Sequence, residues 1–142
     1  MLILQFLLTA AACFALWALW RAIWRSDAVA GVIVGVGLVG RAFAAQALFW
    51  ISWLGLPIAR SLQIGNGFWF FAIDAPDYFR LARFLVDHGL WAILTGGAFF
   101  PSHAFVQLLA LFVALFGPVS SVAILLNCAA FVATCAIVVR VG

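Results

Sequence analysis

Three stretches of this chain are long and apolar enough to cross a bilayer, which takes about 20 consecutive apolar residues in a helix. They cover about residues 2–20, 28–56 and 118–139. Lipid offers backbone amides and carbonyls no partner, so a spanning segment must satisfy them internally, and a single-chain segment does so as a helix. Of the 142 residues 69% are hydrophobic and 8% charged, against about a quarter charged in a soluble domain. The sequence therefore predicts an all-α polytopic membrane protein. It has three transmembrane helices, and residues 57–117 form an extracytoplasmic loop with two interfacial helices.

The first stretch, "MLILQFLLTAAACFALWALW", has no basic region before its apolar run, and that run outlasts a signal-peptide core, so a membrane span is expected. It gives way to "WRAIWRSD", where Trp20, Trp24, Arg21 and Arg25 make an aromatic and basic interface anchor. The second stretch is glycine-rich at its start: Gly31, Gly35 and Gly37 permit close helix approach, and Pro57 is expected to close it. The third ends at Arg140 and carries Asn127, a polar residue expected to bond a neighbouring helix. Arginines crowd the first connection and thin out over residues 57–117, which puts that segment on the extracytoplasmic side. Neither a repeat nor a linker divides the chain, so one membrane unit is expected. The span at the C-terminus, followed at once by "RVG", suggests the N-terminal portion of a larger protein or a subunit with partners.

The charge balance of +3, from seven Arg against four Asp with no Lys or Glu, is too small to imply a nucleic-acid partner. Cys13, Cys128 and Cys135 lie in apolar runs without a CxxC spacing and read as small residues at helix contacts.

Five of the eleven charged residues collect in "FFAIDAPDYFRLARFLVDHG", residues 70–89, which holds three of the four aspartates. Residues 77–88 read as an amphipathic helix with Phe79, Ala82, Leu85 and Val86 on one side and Arg80, Arg83 and Asp87 on others. Asp77 suits the helix start and Gly89 its end. Residues 103–116 are apolar almost all round. They start after Pro101 with Ser102 as cap candidate and stop at Gly117–Pro118. This helix is short for a span and is expected to lie in the interface; a fourth, short span is the competing reading. "GNGFWF" and "TGGAFF" read as glycine-turn and aromatic surface loops.

Asp74 and Asp77 follow the aromatic run "GFWFFAI", expected at the membrane surface, where partial withdrawal from water makes a carboxylate a better proton acceptor. The alternative is structural: Asp77 as a helix cap and Asp74 as a solvated loop residue. Arg41, midway along the second span, either pairs with an acid or lipid phosphate or snorkels to the surface. Arg80 and Arg83, three apart on one helix side, either hold lipid phosphates or anchor the helix at the interface. His88 and His103 have no metal-ligand spacing with Asp74 or Asp87, and no metal site is assigned.

The order of these segments resembles the start of the GT-C glycosyltransferases, of the dolichyl-phosphate-mannose-mannosyltransferase-like kind. The features are a span with "GLVGRAF", a loop with Asp-x-x-x-Tyr opening a helix, "RLARFLVDHG", an aromatic-Pro pair in "FFPSH", an apolar helix ending in "LFG", and a span with "LLN". The resemblance covers about residues 28–140. It implies a multi-pass enzyme, expected in a bacterial inner membrane, that moves a sugar from a polyprenyl-phosphate-linked donor to an extracytoplasmic acceptor. It implies that Asp74 is the catalytic base or a ligand of a divalent metal beside the base, with Asp77 and Tyr78 orienting base or acceptor. Many members carry an acidic residue immediately after that aspartate, where this chain has Ala75, and this departure weakens any metal role. Cationic partners of the leaving lipid phosphate usually come from later loops and spans of the family; here Arg41, Arg80 and Arg83 are the candidates. The chain alone is therefore not expected to be a competent enzyme. The reading from a different class is a small non-catalytic membrane subunit or scaffold, whose loop helices contact lipid or a partner.

The arginine distribution carries a direct test. Single cysteines placed at Ala75 and at Ser26 in a cysteine-free background should label from opposite sides of the membrane. Equal labelling of both from outside contradicts the topology.

Overall fold

The computed structural model describes residues 2–95 and 102–141. It is helical, with one small sheet. In chain order the elements are α1 (Leu2–Ser26), α2 (Ala28–Trp53), a 3-10 turn (Arg60–Leu62), β1 (Gln63–Gly65), β2 (Phe68–Trp69), a second 3-10 turn (Phe70–Ala72), α3 (Ala75–Asp87), α4 (Leu90–Thr95), α5 (His103–Phe116) and α6 (Val122–Val141). Helices α1, α2 and α6 are each long and apolar enough to cross a membrane. At 1.5 Å per residue the 14 residues of α5 reach about 21 Å, short of a hydrocarbon core of about 30 Å. The chain groups into two compact units, Met1–Gln46 with Ile124–Gly142, and Ala47–Ala123.

In the first unit α1 runs on through the tryptophan and arginine anchor to Ser26, six residues past its expected end. What breaks it is Asp27. Its carboxylate accepts from the Val29 and Ala30 amides at 2.8 and 3.0 Å and so caps α2, leaving one residue between the two helices. The helices then fold back on each other through the glycines. A Cβ on Gly31 would lie 2.6 Å from the Trp24 Cα, and one on Gly35 2.8 Å from the Trp20 indole nitrogen. That indole N–H donates to the Gly31 carbonyl at 2.8 Å. Gly37 meets the Phe131 ring of α6 in the same way. Ile23, Val34 and Val132 form the buried centre, with Leu16, Trp20 and Leu38 packed around it. Cys128 is buried, Cys135 packs against this centre, and all three cysteines are free.

The second unit is built on the last turns of α2. That helix ends at Trp53, before Pro57, because Gly55 takes a left-handed φ of +62°. Its amide reaches the Ser52 carbonyl and the Leu56 amide the Ile51 carbonyl, a Schellman ending that proline merely follows. "GNGFWF" is a β-hairpin rather than an irregular loop. Gly65 faces Phe68 across Asn66–Gly67, whose φ values of +52° and +85° are those of a type I′ turn. The hairpin seats on α2: the Ser52 hydroxyl donates to the Phe68 carbonyl at 2.8 Å, and the Trp69 indole N–H to the Leu48 carbonyl at 3.0 Å. Gln63 donates to the Leu56 and Ile58 carbonyls at 2.8 and 2.7 Å and ties down the connecting loop.

Beyond the hairpin, α3 begins two residues before the expected start, with Pro76 in its first turn, where a missing amide N–H costs nothing. Gly89, φ +89°, ends it. Its apolar side, centred on buried Ala82 and Leu85, packs on α5, whose Val106, Leu109, Ala110 and Val113 are buried. The sequence did not signal α4, a six-residue helix that buries Ile93; Gln107 of α5 donates to its Leu94 carbonyl at 3.0 Å. Residues 118–121 are a turn, so α6 starts four residues after the expected boundary. Pro101 and residues 96–100 of "TGGAFF" lie outside the described residues.

The glycine contacts give a sharp expectation. Gly31→Ala puts a methyl against the Trp24 backbone, which cannot yield as a side-chain end can, and should destabilise by about 1–3 kcal/mol. Gly40→Ala, with nothing within 4 Å, should be neutral or stabilise by up to about 1 kcal/mol. Thermal unfolding of both variants in detergent micelles measures the difference.

Candidate functional site

The two halves of the loop meet at a pocket of about 360 Å³, within the usual range for small-molecule sites. Its walls come from five places. The hairpin supplies Phe68; the aromatic 3-10 turn and its exit supply Phe71, Ala72 and Ile73; α3 supplies Asp74 at its N-cap position, Ala75, Tyr78 and Phe79; α5 supplies Phe105 and Leu109. Ser120 and Ala123 close the remaining side. Aromatic contacts hold these walls together. Phe68 lies 6.0 Å from Phe79 between ring centroids, and Tyr78 meets Phe105 edge-on at 5.6 Å. The Ser120 hydroxyl donates to the Asn66 carbonyl at 2.9 Å, fixing the hairpin turn to the turn at residues 118–121.

Asp74 takes the N-cap position with helical backbone angles, and its side chain makes no capping bond. Its carbonyl accepts from the Tyr78 amide at 3.0 Å, as the first helical bond requires. The carboxylate is exposed on one side and lines the pocket on the other. The protein itself leaves the carboxylate open to solvent on that outer side. Tyr78, one turn along and half-buried, shares a 3.3 Å hydrogen bond with the Ser102 hydroxyl. That contact also corrects the role of Ser102, which holds the α5 cap position without capping.

The other candidates go elsewhere. Asp77 does not cap α3; it sits in the first turn and pairs with Arg80 at 2.8 Å, both side chains well exposed. Neither lines the pocket, so Arg80 holds a carboxylate in this structure rather than standing open to phosphate. Arg83 is exposed on α3 and also lies outside the pocket lining. Arg41, in the first unit, meets neither an acid nor open solvent alone: it donates to the Asn127 side-chain oxygen at 3.2 Å and stacks over the Phe131 ring at 4.9 Å. This is the helix-to-helix bond expected of Asn127. His88 bonds back to the Phe84 carbonyl of its own helix at 2.8 Å.

A divalent metal does not fit this pocket. Asp74 is the one carboxylate in its lining, and among the described residues no group of three or more His, Cys, Asp or Glu side chains is gathered anywhere. Two residues at the site escaped sequence reasoning. Phe105 and Ser120 become walls through the α3–α5 packing and the bond from Ser120 to the hairpin turn, and no local pattern in the sequence signals either contact.

No family model matches this sequence, and neither does any curated protein or solved structure.

The geometry of the exposed pair predicts little energy in it. A double-mutant cycle on Asp77→Asn and Arg80→Gln should return a coupling of about 0.3–0.5 kcal/mol that fades in high salt, with no effect on the pocket. A coupling above about 2 kcal/mol would mean that the pair is buried against something in the native membrane.

Proposed function

We propose that this protein works as, or within, a multi-pass membrane glycosyltransferase of the GT-C type in a bacterial inner membrane. It would transfer a sugar from a polyprenyl-phosphate-linked donor to an extracytoplasmic acceptor, with Asp74 as the base. The observation that carries the reading is the Asp74 carboxylate, a charged group in a mainly apolar pocket whose Tyr78 and Ser120 hydroxyls are bonded within the protein, held at the junction between the aromatic turn and α3.

The chemistry asks for such a group. An acceptor hydroxyl donates its hydrogen bond to the Asp74 carboxylate and attacks the anomeric carbon of the donor. The proton passes to the carboxylate as the new carbon–oxygen bond forms. The bond to the lipid phosphate breaks, and polyprenyl phosphate leaves with the electron pair. Tyr78, its hydroxyl held by Ser102, acts as a fixed wall that orients the acceptor beside Asp74. The leaving phosphate needs cations. Arg83 on the exposed side of α3 suits a lipid phosphate at the membrane surface. Arg41 keeps guanidinium donors beyond the one given to Asn127 and is open to a lipid phosphate of its own. Arg80 would have to leave Asp77 to take part.

A second reading has its own observation. Among the described residues no Arg or His lines the pocket, so none of these walls holds a donor phosphate. That favours a non-catalytic membrane subunit whose pocket binds lipid or a partner.

The two readings separate on one substitution. Membranes carrying the full-length protein, supplied with a panel of polyprenyl-phosphate-linked sugars, should lose transfer by about 10²–10⁴-fold on Asp74→Asn, with insertion and folding unchanged. Asp87→Asn, exposed at the far end of α3, should transfer at close to the wild-type rate. Wild-type transfer by Asp74→Asn would remove the base and leave the subunit reading.

A further inference from the structure

We infer that the acceptor taken by this pocket is a lipophilic alcohol: an apolar body carrying one hydroxyl, with no negative charge, rather than a glycan or a peptide. The inference rests on the reading of Asp74 as base and names the substrate class of that site.

Three features of the pocket carry it. The walls that would hold the body of a ligand are apolar, with Phe68, Phe79, Phe105 and Leu109 facing the cavity. A sugar or a peptide backbone buried there would leave polar groups unpaired, at the cost of their desolvation. The rim is apolar too. Phe71 and Ile73 line the pocket yet are 68% and 64% exposed, so a ligand passing from lipid into the cavity crosses no polar barrier.

The polar groups of the lining call for a hydrogen-bond donor on the ligand's head, and the base reading makes that donor a hydroxyl. The Tyr78 hydroxyl is engaged with Ser102 and the Ser120 hydroxyl with the Asn66 carbonyl. The Asp74 carboxylate makes no side-chain hydrogen bond among the described residues. It accepts only, so it selects a donor on the ligand. With no Arg or His among the described residues of the lining, a phosphate or sulfate head would meet the like charge of Asp74 without a cation beside it there. A single O–H at the end of an apolar body satisfies every wall, and it is also the group from which a base must take a proton.

The full-length protein in zwitterionic nanodiscs, photolabelled with a diazirine-bearing dodecanol, tests this. Labelled peptides should fall within residues 68–79 and 105–109. Unlabelled dodecanol should compete, and dodecyl sulfate should compete about tenfold less well, the ratio that one unfavourable charge contact produces. Ala72→Trp, which places an indole in the pocket from an exposed position, should suppress labelling while unfolding at the wild-type temperature. Because the sulfate comparison uses the wild-type chain, it stands whether or not that variant folds. Labelling that dodecyl sulfate or dodecyltrimethylammonium suppresses better than dodecanol overturns the inference, as does labelling spread evenly over the lipid-facing helices. Asp74→Asn separates this from the base role, since an amide oxygen still accepts the hydroxyl. Specific labelling with normal transfer by that variant upholds the ligand class and removes the base; unspecific labelling with abolished transfer does the reverse.

Discussion

The packing of α3 on α5 is the interaction on which the rest of the second unit depends. Ala82 and Leu85 on one helix and Val106, Leu109, Ala110 and Val113 on the other are shielded from solvent. A fully buried leucine alone contributes about 1.5–3 kcal/mol. The contact fixes the first turn of α3 beside the first turn of α5, which sets Asp74 and Tyr78 opposite Phe105 and Leu109. It also covers much of a 14-residue helix that is apolar nearly all round. One side is covered by α3 and α4, while Phe105, Leu108 and Leu115 remain exposed, a face suited to lipid.

The second requirement is backbone satisfaction in a segment that cannot be helical throughout. Between Trp53 and Asp74 the chain changes direction several times beside apolar surroundings, where an unpaired amide or carbonyl is expensive. Gln63 takes two loop carbonyls, Ser52 and Trp69 join the hairpin to α2, and Ser120 takes the carbonyl at the turn. The few polar side chains in this region serve the backbone. That leaves Asp74 as the polar group of the pocket with no structural duty, and its freedom is the physical basis of the proposed chemistry.

Much of the fold was legible because apolar run length and helical periodicity are strong signals. The three long helices, the extent of α5 and the amphipathic face of α3 follow from them. Boundaries were not, since they depend on local bonds of single residues: the Asp27 cap, the Gly55 ending and the turn at residues 118–121. The hairpin was written in Asn66–Gly67, but the strands are too short for alternation to show. At the site, Asp74 and Tyr78 come together because they are one helical turn apart, a spacing visible in any sequence. Asp77, Arg80 and Arg83 share that helix and lie off the pocket, because steps of one, two and five residues from Tyr78, at about 100° per residue, turn a side chain to a different face. Phe105 and Ser120 arrive through tertiary contacts that no local pattern encodes.

The unusual concentration of charge in residues 70–89 thus divides into two kinds. One part, the Asp77–Arg80 pair with Arg83 and Asp87, solvates the outer side of an amphipathic helix. The other is a single carboxylate facing an apolar pocket. The most direct measurement of whether that carboxylate acts on an acceptor is a cryo-electron-microscopy structure of the full-length protein with a bound long-chain alcohol. The base role predicts the alcohol oxygen at about 2.6–3.2 Å from an Asp74 carboxylate oxygen, with its chain among Phe68, Phe79 and Phe105. An alcohol seated with its hydroxyl away from Asp74, or an empty pocket with the ligand bound elsewhere, contradicts it.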